Sequence, residues 1–168
     1  VANGAGLRDL FHNLGAERVV TGGQSMDPSI QQLLTTVEEV DTEQLILLPN
    51  NSNIISTAQQ VRELSEKEIA VVETTSIPQG LTAMMMFTPT GELSRVVELM
   101  TEESNEVKSG AVTYAVCDSK LNGLTIDEDD VLGLIEGEIE ITGKDRLAVV
   151  EELVERLVTE DDYLVSIY

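Results

Sequence analysis

Basic residues are scarce. Ten Lys and Arg stand against 31 Asp and Glu, a formal net charge of −21. Such a surface excludes an electrostatic grip on nucleic acid or on an anionic membrane, because both need a basic patch to neutralise phosphate. No apolar run approaches the roughly 20 residues that cross a bilayer, and residues 1–6 show no basic segment followed by an apolar stretch, so no signal peptide is visible. Cys117 is the single cysteine. It cannot close an internal disulfide and suits a reducing, cytoplasmic setting. No tract is of low complexity, and no linker rich in Pro, Gly or Ser divides the chain. A first residue that is Val rather than Met reads as a fragment of a longer protein.

What is present is enough for a core. Hydrophobic residues make up 42% of 168 positions, so the acidity is not a sign of disorder. Length and pattern predict one α/β domain over 1–168, with a βαβ half over 1–90 and a helix-plus-hairpin half over 91–168. In the first half, residues 17–21, 44–48 and 69–72 are short aliphatic runs without alternation, the pattern of parallel strands covered on both faces. Helices are expected between them. Asp27-Pro28 starts one that carries Ile30, Leu33, Leu34 and Val37; residues 51–53 precede a second, and Ser76-Ile77-Pro78 opens a third. Leu7, Leu10, Phe11 and Leu14 form an earlier amphipathic helix stopped by Gly15. This alternation predicts a parallel sheet flanked by helices on both faces. In the second half a helix around 94–104 leads to a strand at 111–116. Residues 131–135 and 138–141 read as a hairpin with Ile139 and Ile141 on one face, and Asp145 caps a helix carrying Leu147, Val150, Val154, Leu157 and Val158. Residues 163–168 have a strand pattern that calls for a missing partner.

Three polar clusters follow the first three expected strands: residues 21–27, 49–53 and 74–80. In a parallel sheet all three turns sit at the carboxyl edge, where open α/β folds bind ligands. Gly22 and Gly23 allow close backbone approach. Gln24, Ser25, Asn50, Asn51, Asn53, Ser76 and Gln79 offer amides and hydroxyls beyond what one helix cap needs. These residues serve either as turn formers and caps or as a ligand- or partner-binding rim.

No residue pattern points to catalysis. Gly22-Gly23 opens no Gly-x-Gly-x-x-Gly, and the chain has no Gly-Lys-Ser/Thr loop for ATP phosphates. His12, the only histidine, lies beside an apolar helix face and reads as a surface or satisfied helix residue. Cys117, at a strand end without an activating histidine, reads as a small buried residue. Met84-Met85-Met86 reads as core filler, or as a pliable wall for an acyl chain or partner. The acidic run 127–130 lacks the Gly and closing Glu of a calcium loop and reads as solvated surface. No metal site and no catalytic residue is expected within the chain.

Four motifs in order carry a family resemblance: Gly-Leu-x-x-Leu-Phe-x-x-Leu-Gly (6–15), Gly-Gly-Gln-Ser-Met-Asp-Pro-Ser (22–29), Leu-Pro-Asn-Asn-x-Asn-Ile (48–54) and Ser-Ile-Pro-Gln-Gly (76–80), continued by Val-Thr-Tyr-Ala-Val (112–116) and Asp118-Ser119. The chain resembles, over nearly its whole length, the C-terminal domain of the A subunit of bacterial fatty acid kinase, a dihydroxyacetone-kinase-like family linked to DegV. The family usually reads Thr-Met-Asn-Pro-Ser where Ser25 and Asp27 stand here, changes that keep a hydroxyl and a cap. It commonly has Arg where Cys117 stands, so any pairing of that arginine with carboxylate or phosphate is lost or supplied elsewhere. It also continues past residue 168 with a further helix–strand unit.

The resemblance implies a cytoplasmic kinase subunit whose N-terminal domain holds ATP and magnesium, with no cofactor in the present chain. It implies a fold related to DegV and to the substrate subunit of dihydroxyacetone kinase. The implied partners are a separate DegV-like fatty-acid-binding B subunit, other domains of the same polypeptide and a second copy in a homodimer. The chain's implied role is to recruit or orient the acyl-loaded B subunit, whose fatty acid carboxylate the kinase phosphorylates for phospholipid synthesis. Two alternatives stand beside it. One is a dihydroxyacetone-kinase-like domain binding a small carbonyl substrate, for which His12 is the only candidate histidine. The other is a DegV-like domain that carries lipid itself.

Overall fold

The computed structural model describes residues 1–22, 27–121 and 123–168. They form two compact units, Val1–Val107 and Lys108–Tyr168. The division falls later than residue 90 because α5 (Leu93–Asn105) packs against α4 (Ile77–Met86) of the first unit.

In the first unit, β1 (Gln44–Leu47) and β2 (Glu68–Val71) pair in parallel, with Leu45 opposite Ile69 and Leu47 opposite Val71. Successive side chains of a strand point to opposite faces, and both faces here are apolar. Leu45, Leu47, Ile69 and Val71 pack with Leu33 and Val37 of α2 (Ile30–Glu39) and with Ile54 and Val61 of α3 (Ser52–Leu64). Ile46, Leu48 and Val72 pack on the other face with Phe11 of α1 (Ala5–Asn13), with Leu81 and Met84 of α4, and with Val96 and Met100 of α5. Leu33 and Met100 are fully buried, each contributing about 1.5–3 kcal/mol by leaving water. The expected α/β architecture with a parallel sheet covered on both faces is therefore present.

The helix starts follow the cap chemistry. Asn51 Oδ1 accepts the Asn53 N–H at 2.9 Å, and Ser76 Oγ accepts the Gln79 N–H at 3.4 Å. The start of α2 corrects the expectation: Ser29, not Asp27, is the cap and accepts the Gln32 N–H at 3.2 Å. Gly15 ends α1 as expected. It takes φ +102°, its N–H donates to the His12 carbonyl, and the Ala16 N–H donates to that of Phe11, the two bonds of a Schellman turn. The Met run follows helical geometry, with Met84 in the core and Met85 exposed.

Residues 17–21, expected as the first strand, join no ladder; only the Val20 carbonyl accepts a strand-like bond, from the Ala2 N–H at 3.1 Å. The apolar pattern is present there while the ladder is not.

The second unit is antiparallel. β6 (Val131–Ile135) lies between β3 (Gly110–Tyr114) and β7 (Glu138–Gly143), and α6 (Arg146–Leu157) covers one face. β6 and β7 form the expected hairpin, turning through Glu136 and Gly137 at φ +49° and +87°, the left-handed pair of a type I′ turn. A bulge opposite the Gly133/Leu134 step leaves Glu140 unpaired. It sends Ile141 to the α6 face and Ile139 to the opposite face with Ile126 and Leu132, correcting their expected common face. The buried stripe of α6 is Val149, Leu153 and Leu157, whereas Leu147 is exposed. A second hairpin, β4 (Ser119–Leu121) with β5 (Leu124–Ile126), was not expected.

Other readings also change. Cys117 is exposed. Asp130 is buried rather than solvated: its carboxylate accepts the Asp127 N–H at 3.0 Å and pairs with Lys144 at 2.5 Å. The bond from Lys144, then that from Asp127, holds its pKa below the usual carboxylate value. Residues 163–168 lie exposed, without a ladder, so the strand expected there is not formed among the described residues.

Candidate functional site: an amide-lined hollow at the carboxyl edge

The β1–β2 sheet delivers two of the three polar turns to one edge. After β1 the chain passes through Leu48 and Pro49 into Asn50, which takes the left-handed φ of +58° and is buried. Asn tolerates this region better than most residues, because its short amide bonds locally. Here the Asn50 N–H donates to Thr74 Oγ1 at 3.1 Å, and the Thr74 hydroxyl donates back to Asn50 Oδ1 at 2.7 Å. Asn50 Nδ2 donates to the Val1 carbonyl at 2.9 Å. One side chain therefore ties the turn after β1 to the turn after β2 and to the first residues of the chain.

α4 accommodates that side chain through a glycine. A Cβ on Gly80 would lie 2.0 Å from Asn50 Oδ1, so the absence of a side chain at 80 lets Asn50 lie against the helix. One residue earlier, Gln79 is buried, and its Oε1 accepts the Thr75 N–H at 2.7 Å and the Thr75 hydroxyl at 2.9 Å. Asn50 and Gln79 thus hold the two turns in shape.

The first turn reaches the same edge through Asn3, whose Oδ1 accepts the Gly22 N–H at 3.2 Å. Gln32 Nε2 holds the preceding Thr21 carbonyl at 3.0 Å. Gly23, Gln24 and Ser25 lie outside the described residues. A hollow of about 180 Å³ opens here, with Asn3, Asn50 and Asn51 as its polar wall and Leu7, Ile54 and Ile77 as its apolar one. Asn51 uses its carbonyl oxygen for the α3 cap, leaving its amide nitrogen for a guest. Asn53 is exposed on the first turn of α3, and Ser76 caps α4. The N-termini of α3 and α4 both start at this edge, and each brings partial positive charge.

Asn3 and Thr74 belong to the site and carry no distinguishing mark in the sequence. Thr74 falls within one of the polar clusters, but nothing there marks it as the hydroxyl that both donates to and accepts from Asn50. Asn3 precedes the first helix and lies outside every motif.

The hollow suits recognition by hydrogen bonds. Among the described residues that line it, no nucleophile stands beside a base. His12 lies at the end of α1, exposed, with Nδ1 2.7 Å from the Ala16 carbonyl, a satisfied helix-end residue as expected. Among the described residues no group of three or more His, Cys, Asp and Glu is placed to share a metal ion, and no helix is long and apolar enough to cross a membrane.

Comparison with known proteins agrees with the motifs. Proteins of Staphylococcus aureus strains USA300, COL and MRSA252, each carrying the name of an uncharacterized protein, are 34% identical over 167 residues, covering 99% of this chain and 30% of theirs. The chain thus spans 30% of the length of these curated relatives. The family model for the C-terminal part of the A-like subunit of fatty acid kinase matches residues 1–168. With ordered motifs and a full-length match in agreement, the chain belongs to the family of C-terminal domains of the A-like fatty acid kinase subunit.

Proposed function

We propose that this chain is the recruiting domain of a fatty acid kinase subunit. It docks a separate DegV-like, acyl-loaded fatty-acid-binding protein and orients the acyl carboxylate toward a kinase domain elsewhere in the longer polypeptide, where ATP and magnesium would be held. The single observation that carries the reading is the family match over all 168 residues. The edge lined by Asn3, Asn50 and Asn51 supports it, since internal hydrogen bonds fix its shape while the Asn51 amide nitrogen is left to donate, and its lining lacks the groups that acid–base or nucleophilic chemistry needs. A DegV-like fold and a cytoplasmic location belong to the same proposal.

Calorimetric titration of the full kinase subunit with the acyl-loaded partner tests it. Asn51→Ser retains a capping oxygen and removes the amide, so fold and docking are separated. Asn51→Ser and Gln24→Ala are each expected to weaken binding about tenfold, or about 1.4 kcal/mol, with the thermal midpoint unchanged. ATP hydrolysis without the partner is expected to be unaffected by either variant. Unchanged affinity in both variants would remove this edge as the docking surface, and acyl phosphate formed by the isolated 168-residue chain would remove the non-catalytic reading.

A further inference from the structure

A cavity of about 460 Å³, partly open to solvent, lies in the first unit, with residues 18–20 and 44–48 in its lining. Folded proteins leave few apolar-walled spaces larger than a water, so a hollow of this size beside two extended segments has room for an occupant. Leu33, Val37, Met84 and Met100 contribute to its walls, together with those two segments. In the parallel pairing with β2, the Leu47 carbonyl accepts the Val72 N–H at 3.1 Å and the Glu43 carbonyl accepts the Glu68 N–H at 2.9 Å. Residues alternate in direction along a ladder. The N–H and C=O of Ile46 therefore face away from β2 and into the cavity.

The first two residues of the chain show what fits there. The Val1 nitrogen donates to the Leu48 carbonyl at 2.6 Å, and Asn50 Nδ2 donates to the Val1 carbonyl at 2.9 Å. The next residue turns the other way: the Ala2 N–H donates to the Val20 carbonyl at 3.1 Å. Donating to one neighbour and then to the opposite one is the habit of a strand held between two others. Bonding from Val1 to positions 48 and 50 is the spacing of a parallel ladder, with the Asn50 side chain standing in for its backbone N–H. Val1 also lines the cavity. Burial pushes the Val1 ammonium down to about 5, so this place favours a neutral peptide N–H.

We infer that the cavity is the seat of a β-strand, parallel to β1 and to residues 17–21, supplied by the residues that lead into Val1 in the longer polypeptide. The strand converts the lone β1–β2 pair and the unpaired run 17–21 into one continuous four-stranded parallel sheet. Continuing the register, the residue two places before Val1 donates to the Ile46 carbonyl, and the residue four places before it accepts the Ile46 N–H. An acyl chain of suitable volume is disfavoured here, because it would bury the Ile46 peptide groups without hydrogen bonds. The inference does not depend on the recruiting role proposed above.

The test uses the full polypeptide, in a Cys117→Ser background. Amide exchange is expected to be at least about 100-fold slower at Ile46 than at an open strand edge, and equally slow at all protein concentrations. Proline at the residue two places before Val1 is expected to lose about tenfold of that protection. In the same background, Ile46→Cys paired with Cys at the residue three places before Val1 is expected to form an intramolecular disulfide on mild oxidation. Fast exchange at Ile46 together with no disulfide would overturn the inference. Protection that appears only with rising concentration would assign the slot to a second copy instead, and a fatty acid released from the slot on denaturation would assign it to a lipid; either overturns it.

Discussion

Asn50 shows how one residue can fix a turn and an edge at once. Its left-handed φ costs little for Asn, and its amide joins Thr74, Val1 and the open flank of Gly80. Ala in place of a helical Gly ordinarily stabilises by about 1 kcal/mol. At position 80 the sign reverses, because the new methyl meets a side chain held at both ends. Gly80→Ala is expected to destabilise by about 1–3 kcal/mol in urea unfolding. Asn50→Gly retains the backbone freedom and the N–H to Thr74 but leaves the Thr74 hydroxyl proton and the Val1 carbonyl without the side-chain amide, for about 1–3 kcal/mol. The double variant removes the clash as well, so the two effects should fall short of additivity by about 1–2 kcal/mol. Strict additivity would mean that Asn50 and Gly80 do not share this contact.

A second residue-scale expectation concerns Asp162. Its carboxylate accepts from Lys108 Nζ at 2.8 Å, from the Thr159 N–H at 2.7 Å and from the Thr159 hydroxyl at 2.9 Å. The Lys108 bond first, then those of Thr159, bring its pKa from the usual 3.8 down to about 2. A carboxylate with a depressed folded pKa stabilises the fold fully above the unfolded value and loses that contribution as pH falls through the folded value. The contribution of Asp162 is therefore intact at pH 5 and fades between about pH 4 and pH 2. Carbon-detected NMR titration should place its midpoint near 2, and Lys108→Met should raise it toward the ordinary value. A midpoint that Lys108→Met does not move would show that the lysine is not the cause.

At the scale of elements, the sequence is most legible where an element has both faces covered. β1, β2 and the helices α2 to α5 sit where the apolar runs place them, and α3 and α4 start at the expected caps, Asn51 and Ser76. The run 17–21 carries the same signal, yet a strand also needs neighbours in register, which local pattern does not encode. α6 shows a second limit. Val149, Leu153 and Leu157 and the competing set Leu147, Val150 and Val154 are both helically spaced, and only the sheet beneath decides which faces inward. The β4–β5 hairpin does have a sequence signal, the dipeptide Asn122-Gly123, and Gly123 takes the left-handed φ of +82°. In the site, Asn and Gln at 50, 51 and 79 stand out as unusual, but caps and internal staples use the same residue types as binding contacts, so their separate duties emerge only from the hydrogen bonds. The bulge at Glu140 is least legible, since one unpaired residue reverses the period-two rule. It also yields a prediction. Removing Glu140 joins Ile139 to Ile141 in a regular ladder with both side chains on their present faces. The deletion is therefore expected to fold, losing about 1 kcal/mol or less with the exposed Arg156 contacts to Glu140. Deleting Ile139 instead would place Glu140 among Ile126 and Leu132 and should abolish the unit's cooperative unfolding. Equal damage from the two deletions would show that the bulge does not govern the facing of these side chains.

At the scale of the whole molecule, charge is the dominant unbalanced quantity. Even if all ten Lys and Arg were paired one to one with Asp and Glu, 21 acidic groups would remain without a basic partner. The ion pairs that do form lie mainly on exposed side chains, such as Arg18 with Glu17 and Arg156 with Glu152, where each contributes little. Repulsion among unpaired carboxylates opposes compaction and reaches about 10 Å at 0.1 M salt. Raising salt from about 0.02 M to 0.3 M screens that repulsion more than it weakens the few pairs. The thermal midpoint should therefore rise, by about 2–4 °C for each 1 kcal/mol of repulsion relieved in a chain of this size. For the docking proposed above, a partner that met this acidic chain with a basic rim would respond in the opposite direction, because its attraction is screened by the same ions. Following both quantities in one salt series separates fold from docking: a midpoint that climbs while affinity falls is the expected pair. A midpoint that drops with salt would mean that local ion pairs, not the excess of carboxylates, set the electrostatic stability of the protein.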